Sequence, residues 1–264
     1  MNLINVKHSG NLGDIIYSLS SLKAYSIEHG CRINYYIKLD VPSSFTEKTH
    51  PVGNVMMNKA MFDMAYPLLK SQPYINAVLI YTNQHIDFDI DLFRTEYLNL
   101  SGGNIQCWIS NAYPELRPDL VQPSLFVEPI KSDYIIVNRT MRYNNTFIDY
   151  SILDYDNLYF VGVESEYKKL AVHNRKLKHL VVKDFLEMAR YIAGCKLFIG
   201  GQSMAFAIAE LLKVDRILEQ YVHAPNVIPS GGNHYVFHTD KQFKRILNKL
   251  IPLSHGKGKN TDTT

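Results

Sequence analysis

Twice in this sequence a short apolar run stops at glycines and gives way to residues with a helical period. Leu3 to Lys7 ends at His8-Ser9-Gly10-Asn11-Leu12-Gly13-Asp14, after which Ile15, Ile16, Leu19 and Leu22 recur at helix spacing. Lys196 to Ile199 ends at a predicted Gly200-Gly201 turn, followed by an apolar helix from Ser203 to Leu212. Strand, glycine turn, helix is the unit of parallel α/β sheets, which bind ligands at the carboxyl ends of their strands. Further strands are predicted at Ile33 to Ile37, Ile75 to Tyr81, Phe88 to Leu92, Tyr134 to Asn138, Leu158 to Val161 and Ile217 to Leu218. Helices are predicted at Val55 to Leu69, Ile105 to Tyr113, Val182 to Ala193 and Gln242 to Leu250, the third capped by Asp184 and closed by Gly194.

Between 114 and 130 no periodicity survives, because Pro114, Pro118, Pro123 and Pro129 interrupt it. This segment divides the chain into two α/β halves of similar size, residues 1–120 and 121–253, with a polar tail at 254–264. Two Rossmann-like halves with parallel sheets would face each other across a central cleft. A chain of 264 residues, 46% of them hydrophobic, has enough apolar surface for both cores.

Several classes are excluded or disfavoured. No apolar run approaches the roughly 20 residues that span a bilayer, and the start MNLINVKHSG lacks a leader pattern, so a soluble, cytoplasmic protein is expected. Cys31, Cys107 and Cys195 stand far apart and read as buried small hydrophobes. The histidines show no metal spacing, there is no G-x-S-x-G elbow, and neither G-x-G-x-x-G nor a P-loop occurs. Asp87, Asp89 and Asp91 alternate with Phe88, Ile90 and Leu92, which suits an amphipathic strand better than a metal site. No metal and no cofactor is therefore expected.

Four clusters can carry chemistry. The first loop places His8, Ser9, Gly10, Asn11, Gly13 and Asp14 at a strand end; Asp14 there is either a general base or a helix cap. Gly201, Gln202, Ser203 and Met204 open a helix whose amides can cradle a diphosphate, or form an ordinary turn. Arg139, Thr140 and Arg142 follow a strand, where arginines neutralise a leaving phosphate or simply line a solvated loop. Glu164 and Glu166 follow another, where a carboxylate accepts both hydroxyls of a ribose, surface charge being the plainer reading.

Three stretches carry a resemblance to a known family: His8 to Tyr25, Gln72 to Leu92, and Val182 to Leu212, the last most specifically through Leu186-Glu187-Met188-Ala189-Arg190-Tyr191-Ile192-Ala193-Gly194-Cys195-Lys196-Leu197-Phe198-Ile199-Gly200. Together they resemble the ADP-heptose:lipopolysaccharide heptosyltransferase type of glycosyltransferase (family 9), with the GT-B fold. The resemblance implies inverting, metal-independent transfer of a sugar from a nucleotide-diphosphate donor to an acceptor glycan, with the first-loop carboxylate, Asp14, as base. It places His8, Ser9, Gly10 and Asn11 on the acceptor side. Gly13, Arg139, Thr140, Arg142, Glu164, Glu166, Gly201, Gln202, Ser203 and Met204 fall on the donor side, and closure of the two halves excludes water. Where the family reads Asp-Ser/Thr-Gly and then His, this chain reads Gln202-Ser203-Met204 with Phe206 and Ala207.

Two other readings stay open. A basic C-terminus, with Lys241, Lys244, Arg245, Lys249, Lys257 and Lys259 against Asp262, suits a transferase acting on hydroxylated bases of viral DNA, although the formal charge of +3 does not require nucleic acid. The change at Gln202 also suits a non-catalytic nucleotide- or glycan-binding protein descended from a transferase.

Overall fold

The structure is a computed structural model that describes residues 2–43, 54–96 and 98–251. Its first sheet has the order β3-β2-β1-β4, built from β1 (Asn2–His8), β2 (Cys31–Ile37), β3 (Ile75–Ile80) and β4 (Phe88–Asp89), and the recorded pairings are parallel. The second has the order β10-β9-β8-β5-β6-β7 and is also parallel. Its strands are β5 (Ile135–Asn138), β6 (Leu158–Phe160), β7 (Lys178–His179), β8 (Leu197–Gly201), β9 (Arg216–Glu219) and β10 (His234–Phe237).

Helix α1 (Leu12–His29) begins where the loop glycines end and stops at Gly30, whose left-handed backbone (φ 58°) lets its N–H reach the Ser26 carbonyl. Asn11 occupies the N-cap position without a side-chain bond, and Asp14 lies in the first turn, so Asp14 is not the cap. Helix α2 (Lys59–Lys70) starts four residues later than its apolar pattern suggests, because the Asn58 side chain caps the Met61 N–H. The strand expected at Phe88 to Leu92 ends after two residues. The Asp89 carboxylate accepts from the Asp91 N–H and turns the chain into a 3-10 helix, Ile90–Thr95. The helix expected over Ile105 to Tyr113 is split into a 3-10 turn, Ile105–Cys107, and the short α3 (Ile109–Ala112).

In the second half come α4 (Glu164–Ala171), α5 (Phe185–Gly194), α6 (Met204–Leu212) and α7 (Asp240–Leu250). Asp184 caps α5 through the Glu187 N–H, and Gly194 is its last residue. A Cβ on Gly194 would overlap the Ile130 carbonyl, so close backbone approach is what this glycine serves. Gly200 and Gly201 are the last two residues of β8 rather than a turn, paired with Leu218 and Glu219. They are glycines because the Phe198 ring and the carbonyls of Asn138 and Tyr143 leave no room for a side chain.

The two halves meet through their helices: α1 packs on α6 and α2 on α5. One apolar core runs through both, from Ile15, Leu19 and Leu68 to Ala189, Phe206 and Ala209. A second core, including Phe160, Phe237 and Phe243, covers the other face of the second sheet. The proline-rich segment contains no helix or strand but is pinned at several points. Leu116 and Leu125 are buried, Ser124 N–H donates to the Leu211 carbonyl, and Ile130 N–H donates to that of Arg190. Lys23 of α1 and Tyr74 donate to the carbonyls of Pro123 and Ser124.

Candidate functional site

All the strand carboxyl ends that carry loops toward the interface open into one cavity of about 1300 Å³. From the first half it receives Asn11, Gly13 and Asp14 after β1, Met56 and Met61 after β2, and Phe93 and Arg94 after β4. From the second it receives Thr140 and Arg142 after β5, Glu166 after β6, His179 at the end of β7, and Gln202, Ser203 and Met204 after β8. The N-termini of α1 and α6 converge there: a Cβ on Gly13 would lie 3.9 Å from the Met204 nitrogen.

Asp14 is held from one side. Its Oδ2 accepts from Arg94 Nη2 at 3.1 Å, and among the described residues Oδ1 accepts no hydrogen bond. Arg94 reaches Asp91 with its other terminal nitrogen at 2.7 Å, so one guanidinium bridges two carboxylates. Burial pushes the Asp91 carboxyl up, but the His8 ring, the Ser9 N–H and the Arg94 charge outweigh it and hold the group well below the usual carboxylate range. Sequence pattern did not single out Arg94; its only signal was a lone cation just after the alternating Asp87 to Asp91 run. The three carboxylates of that run are each engaged: Asp87 by the Asn5 N–H, Asp89 by Lys7 at 2.6 Å, and Asp91 as described.

His8, Ser9 and Gly10 do not line the cavity; they stand behind Asp14. His8 is 1% exposed, with Nδ1 2.9 Å from the Gly10 nitrogen and 3.3 Å from Asp91 Oδ1. A Cβ on Gly10 would come within 2.5 Å of the His8 ring, 2.7 Å of Arg94 Nη2 and 2.9 Å of Asp14 Oδ2, so this position holds the loop, ring and ion pair in contact.

On the second half, Ser203 caps α6 by accepting from the Phe206 N–H at 3.1 Å, which leaves the Met204 and Ala205 amides at the open helix end. Gln202 is buried and anchors the loop after β9: it accepts from the Tyr221 N–H and donates to the Ala224 carbonyl and to Asn226 Oδ1. Arg139 and Gly201 do not line the cavity. Arg139 forks onto the wholly buried Glu219 at 2.8 and 3.1 Å, and Glu219 also accepts from the Asn145 N–H and the Tyr150 hydroxyl. That network fastens the ends of the loop that presents Thr140, Arg142 and Tyr143. Glu164 is exposed and paired with Lys168 one turn along α4, whereas Glu166 is buried and accepts from the Met141 N–H at 3.1 Å. Burial raises the Glu166 carboxyl above its ordinary value, against the pull of that N–H and of Arg142.

Two buried polar atoms of the lining, Tyr17 Oη and Asn138 Oδ1, have no partner among the described residues. Orphaned groups of this kind cost stability until something binds them. Burial and the charge of Glu210 push the Tyr17 hydroxyl well up, so it is protonated and can donate. Among the described residues no group of three or more His, Cys, Asp or Glu is placed to hold a metal, and no helix is long and apolar enough to cross a membrane. No residue of α7, with Lys241, Lys244, Arg245 and Lys249, lines the cavity. Lys257, Lys259, Asp262 and the tail at 254–264 lie outside the described residues.

No protein-family model matches the sequence, and no curated protein matches it. Among solved structures the chain is similar to the E. coli heptosyltransferase WaaC with ADP, at a TM-score of 0.62 and 11% identity over 94% of this chain and 99% of that one. It is similar to the glycosyl transferase family 9 protein from Veillonella parvula DSM 2008, at a TM-score of 0.57 and 10% identity over 97% and 91%. E. coli ADP-heptose lps heptosyltransferase II follows at 0.53 and 11% over 95% and 98%. The fold is thus heptosyltransferase-like GT-B: two parallel Rossmann-like sheets whose strand ends face one cleft.

Proposed function

We propose that this protein transfers a sugar from a nucleoside-diphosphate donor to an acceptor hydroxyl, with inversion at the anomeric carbon and without an essential metal. One observation carries the reading: the Asp14 carboxylate and the open amides of α6 converge in a single cavity whose fold is shared with structures of heptosyltransferases, one of them holding ADP.

In this reading residues 1–120 serve the acceptor and 121–253 the donor. Arg94 fixes Asp14 through Oδ2, so Oδ1 takes the acceptor proton. The deprotonated oxygen forms its bond to the anomeric carbon as the bond from that carbon to the diphosphate oxygen breaks on the opposite face, and the leaving group keeps the electron pair. Its charge falls on the amides of Met204 and Ala205 and on the Arg142 guanidinium, fixed donors that need no reorganisation. Glu166 and the orphaned Asn138 Oδ1 accept from hydroxyl and amine donors of the nucleoside. Gln202, standing where the family has Asp, works on the protein itself, as the anchor of the loop after β9.

The test is a donor panel. Nucleoside diphosphate should be released from one of the UDP-, GDP- or ADP-sugars when an acceptor mixture is supplied, the same nucleotide should raise the melting temperature, and EDTA should leave the rate unchanged. A nucleotide that binds without turnover on any acceptor would leave a binding protein; no thermal shift with any nucleotide would remove the donor site.

A further inference from the structure

The cavity is larger than the roughly 300–1,000 Å³ that holds a single small ligand, so a nucleotide sugar leaves room beside it. The cavity as a whole is rich in methionine, and half of these side chains come from the first half of the chain. Six of the eight methionines in the sequence line the cavity: Met56, Met61, Met64, Met141, Met188 and Met204. Three of them sit on or just before α2, facing the same space as Phe93 and Trp108 from the segments after β4. Methionine is unbranched and polarisable, adapts its shape to an apolar partner, and makes favourable sulfur contacts with aromatic rings.

Charge is scarce on this side. Among the described residues the first half gives the lining two charged side chains, Asp14 and Arg94, and they are paired with each other. Arg94 is shared with a second carboxylate, Asp91, behind the wall. Among the described residues a phosphorylated or carboxylated acceptor would find no uncommitted cation on this wall, and it would meet the Asp14 charge. An uncharged molecule with an apolar body beside its hydroxyl would bury that body on sulfur and ring carbon while the hydroxyl met Asp14 Oδ1.

We propose that the methionine-rich wall of α2 and the segments after β4 is the acceptor subsite, and that its occupant is an uncharged alcohol or glycoside carrying an alkyl or aryl group. The assignment rests on the transferase reading for the word acceptor, but the binding it requires does not.

The test measures binding in the absence of donor, by calorimetry, for methyl, hexyl and phenyl β-glucoside and for glucose 6-phosphate, each below any micelle concentration. Burial of a methylene is worth about fourfold in affinity, so hexyl glucoside should bind at least tenfold more tightly than methyl glucoside, and glucose 6-phosphate should bind no better than the methyl compound. Ala60→Asp puts a charge on the wall from an exposed position in the first turn of α2, where a carboxylate suits the helix. It should abolish the hexyl advantage and leave the thermal shift given by nucleoside diphosphate in place. Met64→Gln, uncharged and of similar length, should reduce the advantage severalfold. A flat alkyl series, a preference for glucose 6-phosphate, or an advantage that survives Ala60→Asp would overturn the assignment. Failure of the transferase reading looks different: no nucleotide shift and no turnover, with the alkyl series still discriminating.

Discussion

Arg94 Nη2 lies 3.1 Å from Asp14 Oδ2, a bond between residues eighty positions apart in the helical segments that follow two neighbouring strands, β4 and β1. It fixes one oxygen of Asp14, a residue that lines the cavity, and leaves the other without a hydrogen bond among the described residues. A carboxylate that merely satisfied the first turn of α1 would not need such a partner, since Asp14 does not cap the helix.

Replacing the proton acceptor while keeping its shape separates these roles. Asp14→Asn should lower transfer by about a hundred- to ten-thousand-fold, and the lost helix-end charge should change folding by no more than about 1 kcal/mol. Nucleotide affinity should hold, because the phosphates are assigned to α6. Steady-state rates beside nucleotide thermal shifts decide it; transfer at the original rate would leave the base to be found elsewhere.

The α6 amides can be tested one at a time. Ser203 has φ −149°, which proline cannot adopt, so proline there would damage the fold. Met204 is the first helical residue, where proline is well tolerated. Met204→Pro removes an amide and a side chain; Met204→Ala removes only the side chain. Losing a hydrogen bond to a charged group costs about 1.5–3 kcal/mol, so nucleoside diphosphate should bind the Pro variant roughly ten- to a hundredfold more weakly than the Ala variant. Equal affinities by calorimetry would take the phosphates away from this helix.

Gly10→Ala adds a methyl among the His8 ring, Arg94 and Asp14 from a position that does not itself line the cavity. Two of its three neighbours are ends of flexible side chains, so the protein should fold with a loss of about 1–3 kcal/mol. The Arg94 to Asp14 contact should part, and turnover should fall with nucleotide affinity unchanged. Urea unfolding and initial rates on the same preparation test both halves of this statement.

Asp91 makes acid stability informative. Its carboxyl titrates below the ordinary value of 3.8, so below neutrality the unfolded chain takes up a proton before the folded one does. The group therefore contributes stability that is complete above about pH 5 and is lost as the pH falls through and below 4. Asp91→Asn should be less stable at pH 7 and show a shallower decline on acidification. Parallel acid limbs in urea titrations of the two proteins would mean that the ion pair with Arg94 adds nothing.

Strand-glycine-helix junctions were legible because local residues determine them: apolar runs, glycines and a helical period locate β1, α1, β8 and α6, and hence Asp14 and Ser203. Arg94 was not, since what selects it is a sheet neighbour eighty residues away and a 3-10 turn that Asp89 induces in an apparent strand. Arg139 reads in sequence like a phosphate ligand, but its partner Glu219 becomes visible only when β9 is placed in the sheet. Glu164 and Glu166 look equivalent until α4, short and polar, turns one outward and buries the other. The glycines of β8 suggest a turn from composition alone, and only the crowding around them shows a strand.

The shared core has a consequence for motion. Two jaws swinging about a hinge would have to pull α1 off α6 and α2 off α5, exposing residues such as Leu19, Leu68, Phe206 and Ala209 that are fully buried. Unzipping even a few such side chains would cost as much as the whole stability of an ordinary domain, about 5–15 kcal/mol. Water must then be kept from the reacting centre by the bound molecules themselves and by small adjustments of the loops at the strand ends. Heat, for the same reason, should melt both halves together.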